Sequence, residues 1–290
     1  MSIRTILVPL DGASDNNSIL SNAFELARTF NAHVNVMHVR ADARDAVPLF
    51  GEGLSGDMVE EMITSADKES VAHAEELKTV FERQCFNRSI PVVTQPSPGE
   101  DSETAAWIEF VGREDELLAW HGRLADLIIM SRPTEDSSPM RSLSLEAALF
   151  ECGRPVLALP PKAEPKEMGR IVGIAWNGTA ESARAVQAAI PILEQAYQVN
   201  IFTCVSEKTY SAAGDELAAY LGWRGITPKV IKFDAGPEGI GMTLLDQATN
   251  AEVDMLVCGA YSHSRLMQAV LGGVTSSLME LATIPVLFSH

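Results

Sequence analysis

The chain has 290 residues, 46% of them hydrophobic and 21% charged, and a formal net charge of −17. That is enough apolar material for two ordinary domains, each with its own core. So large a negative balance repels phosphate backbones and anionic lipid, which argues against nucleic-acid and membrane-surface roles.

The N-terminus runs directly from Met1 into Ile6-Leu-Val-Pro-Leu-Asp11-Gly12. This is an apolar run closed by Asp-Gly, the pattern of a buried strand entering a turn. No basic, apolar and small-residue succession of a secretory leader is visible, and no apolar stretch has the length of a membrane span. These features, with four scattered cysteines (Cys85, Cys152, Cys204, Cys258) outside any CxxC or metal-ligand spacing, predict a cytoplasmic protein with reduced thiols and no metal site.

An amphipathic helix follows, with Ile19, Ala23, Leu26, Ala27 and Phe30 on one face, and then a strand over Val34–Val39. A long polar helix is expected over about Asp57–Arg83. A loop, Gln95-Pro-Ser-Pro-Gly-Glu-Asp-Ser-Glu103, then leads to a strand near Trp107–Val111. The acidic run Glu60, Glu61, Glu69, Glu75 and Glu76 reads as a wet helix face. Next come the apolar strand Ala125–Met130, a helix over Leu145–Glu151 and a last strand, Arg154–Leu159, opened by Pro155.

The whole series then repeats. Val172-Gly-Ile-Ala-Trp-Asn177-Gly178 matches the first strand and turn, and the helix carrying Ala183, Val186, Ala189, Ile190 and Leu193 matches the first helix. Val199–Val205 matches Val34–Val39, Val253–Cys258 matches Ala125–Met130, and Ile284–Phe288 matches Arg154–Leu159. The second half has a compact helix at Ala213–Leu221 and a strand near Val230–Phe233 in place of the long polar insertion. Strands alternating with helices imply a parallel sheet covered on both faces, so the fold class is α/β. The expected division is residues 1–160, a linker at 161–169 holding Pro161 and Pro165, and residues 170–290.

No GxxxxGK[ST] loop occurs, and the first strand-helix turn lacks GxGxxG. Gly236-Pro-Glu-Gly239-Ile-Gly241 has the wrong glycine order and reads as a plain strand-helix connection. His38 reads as a core or strand-end residue, and His121 has no paired nucleophile. The informative segment is Gly259-Ala260-Tyr-Ser262-His263-Ser-Arg265 … Gly272-Gly273-Val274-Thr275-Ser276. It leaves the C-terminal end of a buried strand, where open α/β sheets place ligands, and ends by opening a helix whose free N–H groups favour a phosphate. His263 and Arg265 could reach such a phosphate.

This segment is similar to the G-x2-G-x9-G-[ST] nucleotide loop of ATP-binding universal stress proteins. Gly259 and Gly272 keep the spacing; Ser262 replaces the second glycine and Gly273 the small hydroxyl residue. The resemblance implies two tandem five-stranded parallel-sheet domains, flavodoxin-like or adenine nucleotide alpha hydrolase-like. It implies ATP or another adenine nucleotide as ligand; the sequence itself requires no metal and offers no catalytic constellation. Phosphates would lie on Gly259, Ser262, Gly272, Gly273 and Thr275, and the base near Ala175, Asn177 and Val205; Ala260, His263, Arg265, Val274 and Ser276 complete the candidate cofactor-binding set. The acidic residue of the family falls on Asp11 in the first half and is Asn177 in the second. The first half has Ser131-Arg132-Pro133 where the glycine loop would start, so it is expected to be degenerate.

The expected function is therefore a stress-response ligand-binding module, not an enzyme, although slow ATP hydrolysis is compatible with the fold. The alternative is a nucleotide-free regulator that docks a partner protein. The resemblance also implies that the two halves pair through their last strands as an intramolecular pseudo-dimer. A homodimer of whole chains is a further expectation.

Overall fold

The computed structural model describes residues 2–12, 16–46, 55–96, 102–134, 137–205, 213–260 and 273–290. The first set of elements is β1 (Thr5–Pro9), α1 (Asn16–Phe30), β2 (His33–Arg40), α2 (Gly56–Arg88), β3 (Thr104–Val111), α3 (Glu114–Gly122), β4 (Leu127–Ser131), α4 (Pro139–Glu151) and β5 (Val156–Leu159). The second is β6 (Ile171–Ala175), α5 (Ala180–Leu193), β7 (Gln198–Cys204), α6 (Ala213–Gly222), β8 (Lys229–Phe233), α7 (Ile240–Asn250), β9 (Met255–Gly259), α8 (Val274–Leu281) and β10 (Val286–Ser289). Both α2 and α4 start earlier or run longer than hydrophobic spacing alone suggests. Ser55 caps α2 by accepting from the Met58 amide, and Pro139 opens α4 where its missing N–H costs nothing.

The strands form one sheet in the order β3-β2-β1-β4-β5-β10-β9-β6-β7-β8. Each set of five repeats the same internal order, and the two are mirrored about the β5–β10 seam. Every pairing is parallel except that seam, where Leu157 faces Leu287 in antiparallel register. Parallel strands must be joined by covering helices, and the runs Leu-Ile-Ile-Met and Met-Leu-Val-Cys are accordingly apolar on both faces.

Two apolar layers sandwich the sheet, and each is continuous across the seam. One gathers Ile19 and Phe24 of α1, Phe81 of α2, Val186 and Ile190 of α5 and Leu221 of α6 over Leu157 and Leu287. The other gathers Leu118, Leu145, Leu244 and Leu278 over Val156, Ala158, Val286 and Phe288. Val156, Leu157, Ala158, Val286, Leu287 and Phe288 are wholly buried. At about 1.5–3 kcal/mol for each large apolar side chain, the seam is a core rather than a sticky edge.

The aspartates that precede β4 and β9 do the same work in each half. Asp126 accepts from the amides of Arg4 and Thr5 at 2.9 and 3.0 Å, and Asp254 accepts from those of Gly169, Arg170 and Ile171 at 2.7, 3.1 and 3.0 Å. Each stitches the start of its half's first strand to the strand beside it. No helix among the described residues is long and apolar enough to cross a membrane.

Candidate functional site

In the second half the turn from β6 to α5 is held by its own side chains. Asn177 Oδ1 accepts from the Thr179 amide at 3.2 Å and from the Thr179 hydroxyl at 3.0 Å. Thr179 Oγ1 in turn accepts from the Ser182 amide at 3.3 Å, capping α5. Gly178 supplies the turn's positive φ of 75°. Asn177 is exposed, Ala175 lies in the sheet between Phe202 and Cys258, and Val205 is an exposed residue past the end of β7. Glu181 stands in the first turn of α5, its carboxyl held below the usual range by a backbone N–H and by Arg184. That helix start is both satisfied and negative.

The start of α8 differs in charge and in its N-cap. Its first turn carries no acidic residue, and its N-cap, Gly273, has no side chain to offer the amides of the turn. Gly273 has φ −81° and ψ 164°, a conformation open to any residue. Thr275 is buried, while the Ser276 hydroxyl donates to Glu280 at 3.1 Å on the outer face. Ala260 is buried, its amide donating to the Ser289 carbonyl at 2.8 Å and its carbonyl accepting from His290 Nδ1 at 3.0 Å. Gly259 has a packing reason of its own. A β-carbon there would lie 2.5 Å from the Ser182 amide nitrogen and 2.7 Å from the Glu181 carbonyl carbon. The end of β9 can touch the start of α5 only because that side chain is missing. Ser262, His263, Arg265 and Gly272 lie outside the described residues.

The corresponding crevice of the first half is filled from within. Arg141, projecting from the first turn of α4, donates to both carboxylate oxygens of Asp11, from Nε at 2.7 Å and Nη2 at 3.1 Å. Glu114 lies beside this pair, its carboxyl pushed up by burial. Gly12 has φ +84°, and a β-carbon on it would lie 2.0 Å from His73 Cε1, so the α2 imidazole rests on the turn itself. His38 is buried and its Nδ1 donates to the Leu10 carbonyl at 2.7 Å. It stacks on Trp107 and meets His73 edge-on, at centroid separations of 6.0 and 5.9 Å. His121 stands within the last turn of α3, stacked on Phe110 at 4.3 Å.

A family model described as the universal stress protein family matches residues 2–106 and 230–290, more than half of the sequence. The chain belongs to the universal stress protein family. Among solved structures, a universal stress protein from Archaeoglobus fulgidus is 14% identical with a TM-score of 0.66, the match covering 99% of this chain and 96% of that one. A protein described as functionally unknown from Pseudomonas aeruginosa is 15% identical with a TM-score of 0.57, covering 99% and 92%. Identities this low speak to the fold alone. No curated protein matches the sequence.

Two arginines of this universal stress protein escaped the reading of the sequence as functional groups. Arg141 did leave a signal, since a cation in the first turn of a helix opposes the helix dipole and so needs another reason to be there. Arg132 follows β4, where a glycine loop would begin, and is 2% exposed. Its Nη1 donates to the carbonyls of Leu278 and Met279 at 2.6 and 2.7 Å, and its Nη2 to that of Ala282. Burial lowers its pKa to about 10, which leaves it charged at neutral pH. The thiols are set for inertness: burial pushes Cys85 and Cys258 up to about 12, Cys152 up to about 11, and Cys204 upward as well.

Proposed function

We propose that this universal stress protein is a cytoplasmic, stress-linked binding module that takes ATP or a related adenine nucleotide in its second half and none in its first. The observation that carries the reading is the contrast between the two strand ends that could lead into a phosphate loop. The strand β9 closes on Gly259 and is followed by the small Ala260, and α8 opens with neither an acid nor an N-cap side chain. After β4 comes Arg132, committed to another helix, and the nearby Asp11 is held by Arg141. The amides of a helix's first turn and the helix dipole suit a phosphate even in a chain of net charge −17, because the attraction is local.

The reading is of a binder rather than a catalyst. Among the described residues, the titratable groups at this end of the sheet are tied up in packing: Asp11 with Arg141, His38 with Leu10 and Trp107, and thiols raised by burial. Denaturing freshly purified protein and analysing the released small molecules tests the proposal. Up to one adenine nucleotide per chain is the expected result, and Gly272→Val should weaken ATP binding at least about tenfold with the fold intact.

A second reading, a nucleotide-free regulator that docks a partner protein, draws support from Asn177. It is a neutral amide where an acid would recognise a ribose, and its oxygen is engaged by Thr179. Absence of nucleotide on release, together with no heat of ATP binding, would favour this alternative.

A further inference from the structure

The strands β4 and β9 end alike. The Arg132 amide donates to the Leu159 carbonyl at 2.9 Å, as the Ala260 amide donates to the Ser289 carbonyl at 2.8 Å. At this equivalent position one half carries a methyl group and the other a guanidinium. The alanine leads into the glycine-bearing segment. The arginine crosses the β5–β10 seam and binds the carbonyls of Leu278, Met279 and Ala282, at the C-terminal end of α8.

The last carbonyls of a helix mostly lack intrahelical partners and carry the negative end of its dipole, although that of Leu278 also accepts from the Ala282 amide at 3.2 Å. A buried cation is the strongest single group that can hold them, and a planar guanidinium can bridge several at once. Such a hold adds a polar anchor to the apolar packing of Val274, Leu278, Met279 and Ala282. The helix has eight residues, of which Thr275 and Leu278 are buried. On its flank Gly241 of α7 lets Ser277 approach, a β-carbon there lying only 2.4 Å from Ser277 Cβ. A helix of this length has marginal stability of its own.

We propose that Arg132 is a positioning residue for the ligand site of the second half. It fixes the C-terminal end of α8 and, through a rigid rod of about 12 Å, sets where the first-turn amides lie. The first half thus contributes no ligand cradle but holds the cradle of its sibling in place. This rests on the reading of the second half as the nucleotide site.

The test uses the full-length chain, with Arg132→Met, Arg132→Lys and, as a control that weakens the core far from α8, Val34→Ala. Amide hydrogen exchange is followed at residues 274–282 and at β1 and β2, and ATP binding is measured by calorimetry. Arg132→Met should speed exchange at 274–282 at least about tenfold at unchanged β1, and weaken ATP by a similar factor. Arg132→Lys, which keeps the charge without the fork, should fall between the two; if the methionine variant does not fold, the lysine variant carries the comparison. Val34→Ala should lower the melting temperature and leave relative α8 exchange and ATP affinity unmoved. Unchanged exchange at 274–282 in Arg132→Met, or equal loosening of α8 in Val34→Ala, overturns the positioning role. So does a loosened α8 with full ATP affinity. If wild-type protein binds no ATP, the nucleotide reading fails by itself, and a tight α8 in Arg132→Met would then overturn the clamp as well.

Discussion

Arg141 grips Asp11 through both carboxylate oxygens, and the two side chains are only 9% and 19% exposed. The aspartate that would serve a ribose in the first half is therefore already engaged by the chain's own cation. Arg141→Met should destabilise the protein by about 1–3 kcal/mol, the range for a hydrogen bond to a charged group left unmet. Arg141→Lys should recover only part of this, because an ammonium cannot reproduce the two-pronged contact. Denaturant unfolding of the three proteins, with equal slopes, is the measurement.

The asymmetry of the halves sets a stoichiometry. With Arg141 on Asp11 in the first-half crevice and His73 on Gly12, calorimetric titration should show no more than one ATP per chain. Two equivalent sites would mean that the contacts of Arg141 and His73 open on binding.

Gly259 separates packing from ligand approach. Its missing side chain lets β9 touch the backbone of Glu181 and Ser182, so Gly259→Val should cost about 1–3 kcal/mol from overpacking. The loss should appear in thermal unfolding without any nucleotide present. A variant as stable as wild type, yet deficient in ATP binding, would assign the glycine to the ligand alone.

The pH dependence carries a sign. Burial lowers the pKa of His38 and of His33, so folding favours their neutral forms. Stability from these groups is fully present above the unfolded value of about 6.5 and is lost as pH falls below it. Glu103, Glu114 and Asp254 oppose this, since burial raises their carboxyl pKa and folding favours protonation. The histidine part is isolated by difference: His38→Gln should lose less stability than wild type between pH 7.5 and 5.5. Parallel losses in urea titrations at both pH values would remove His38 from the account.

The β5–β10 seam predicts the behaviour of separated halves. Residues 170–290 alone would expose Val286, Leu287 and Phe288, all wholly buried in the intact chain. An unpaired apolar strand seeks another, so this fragment should dimerise or aggregate on size-exclusion chromatography. A monodisperse monomer would show that the seam contributes little.

Much of this protein was legible in its sequence. The repeat from Asp11-Gly12 to Asn177-Gly178, the Pro-opened last strands and the alternation of apolar strand and amphipathic helix specify an α/β fold, because burial on two faces and helix periodicity leave direct traces in local composition. The helix that opens at Val274 was legible for the same reason, since helix starts demand particular residue types at short spacing. Tertiary structure alone decided the rest. That Asp11 is neutralised by a residue 130 positions away, that Arg132 reaches 146 to 150 positions to the end of α8, and that Gly259 is needed by Ser182 are facts of which side chains meet across the sheet. A guanidinium after a strand is compatible with solvent, a phosphate or a helix end. Only the fold, by bringing the carbonyls of Leu278, Met279 and Ala282 to its tip, chooses among them.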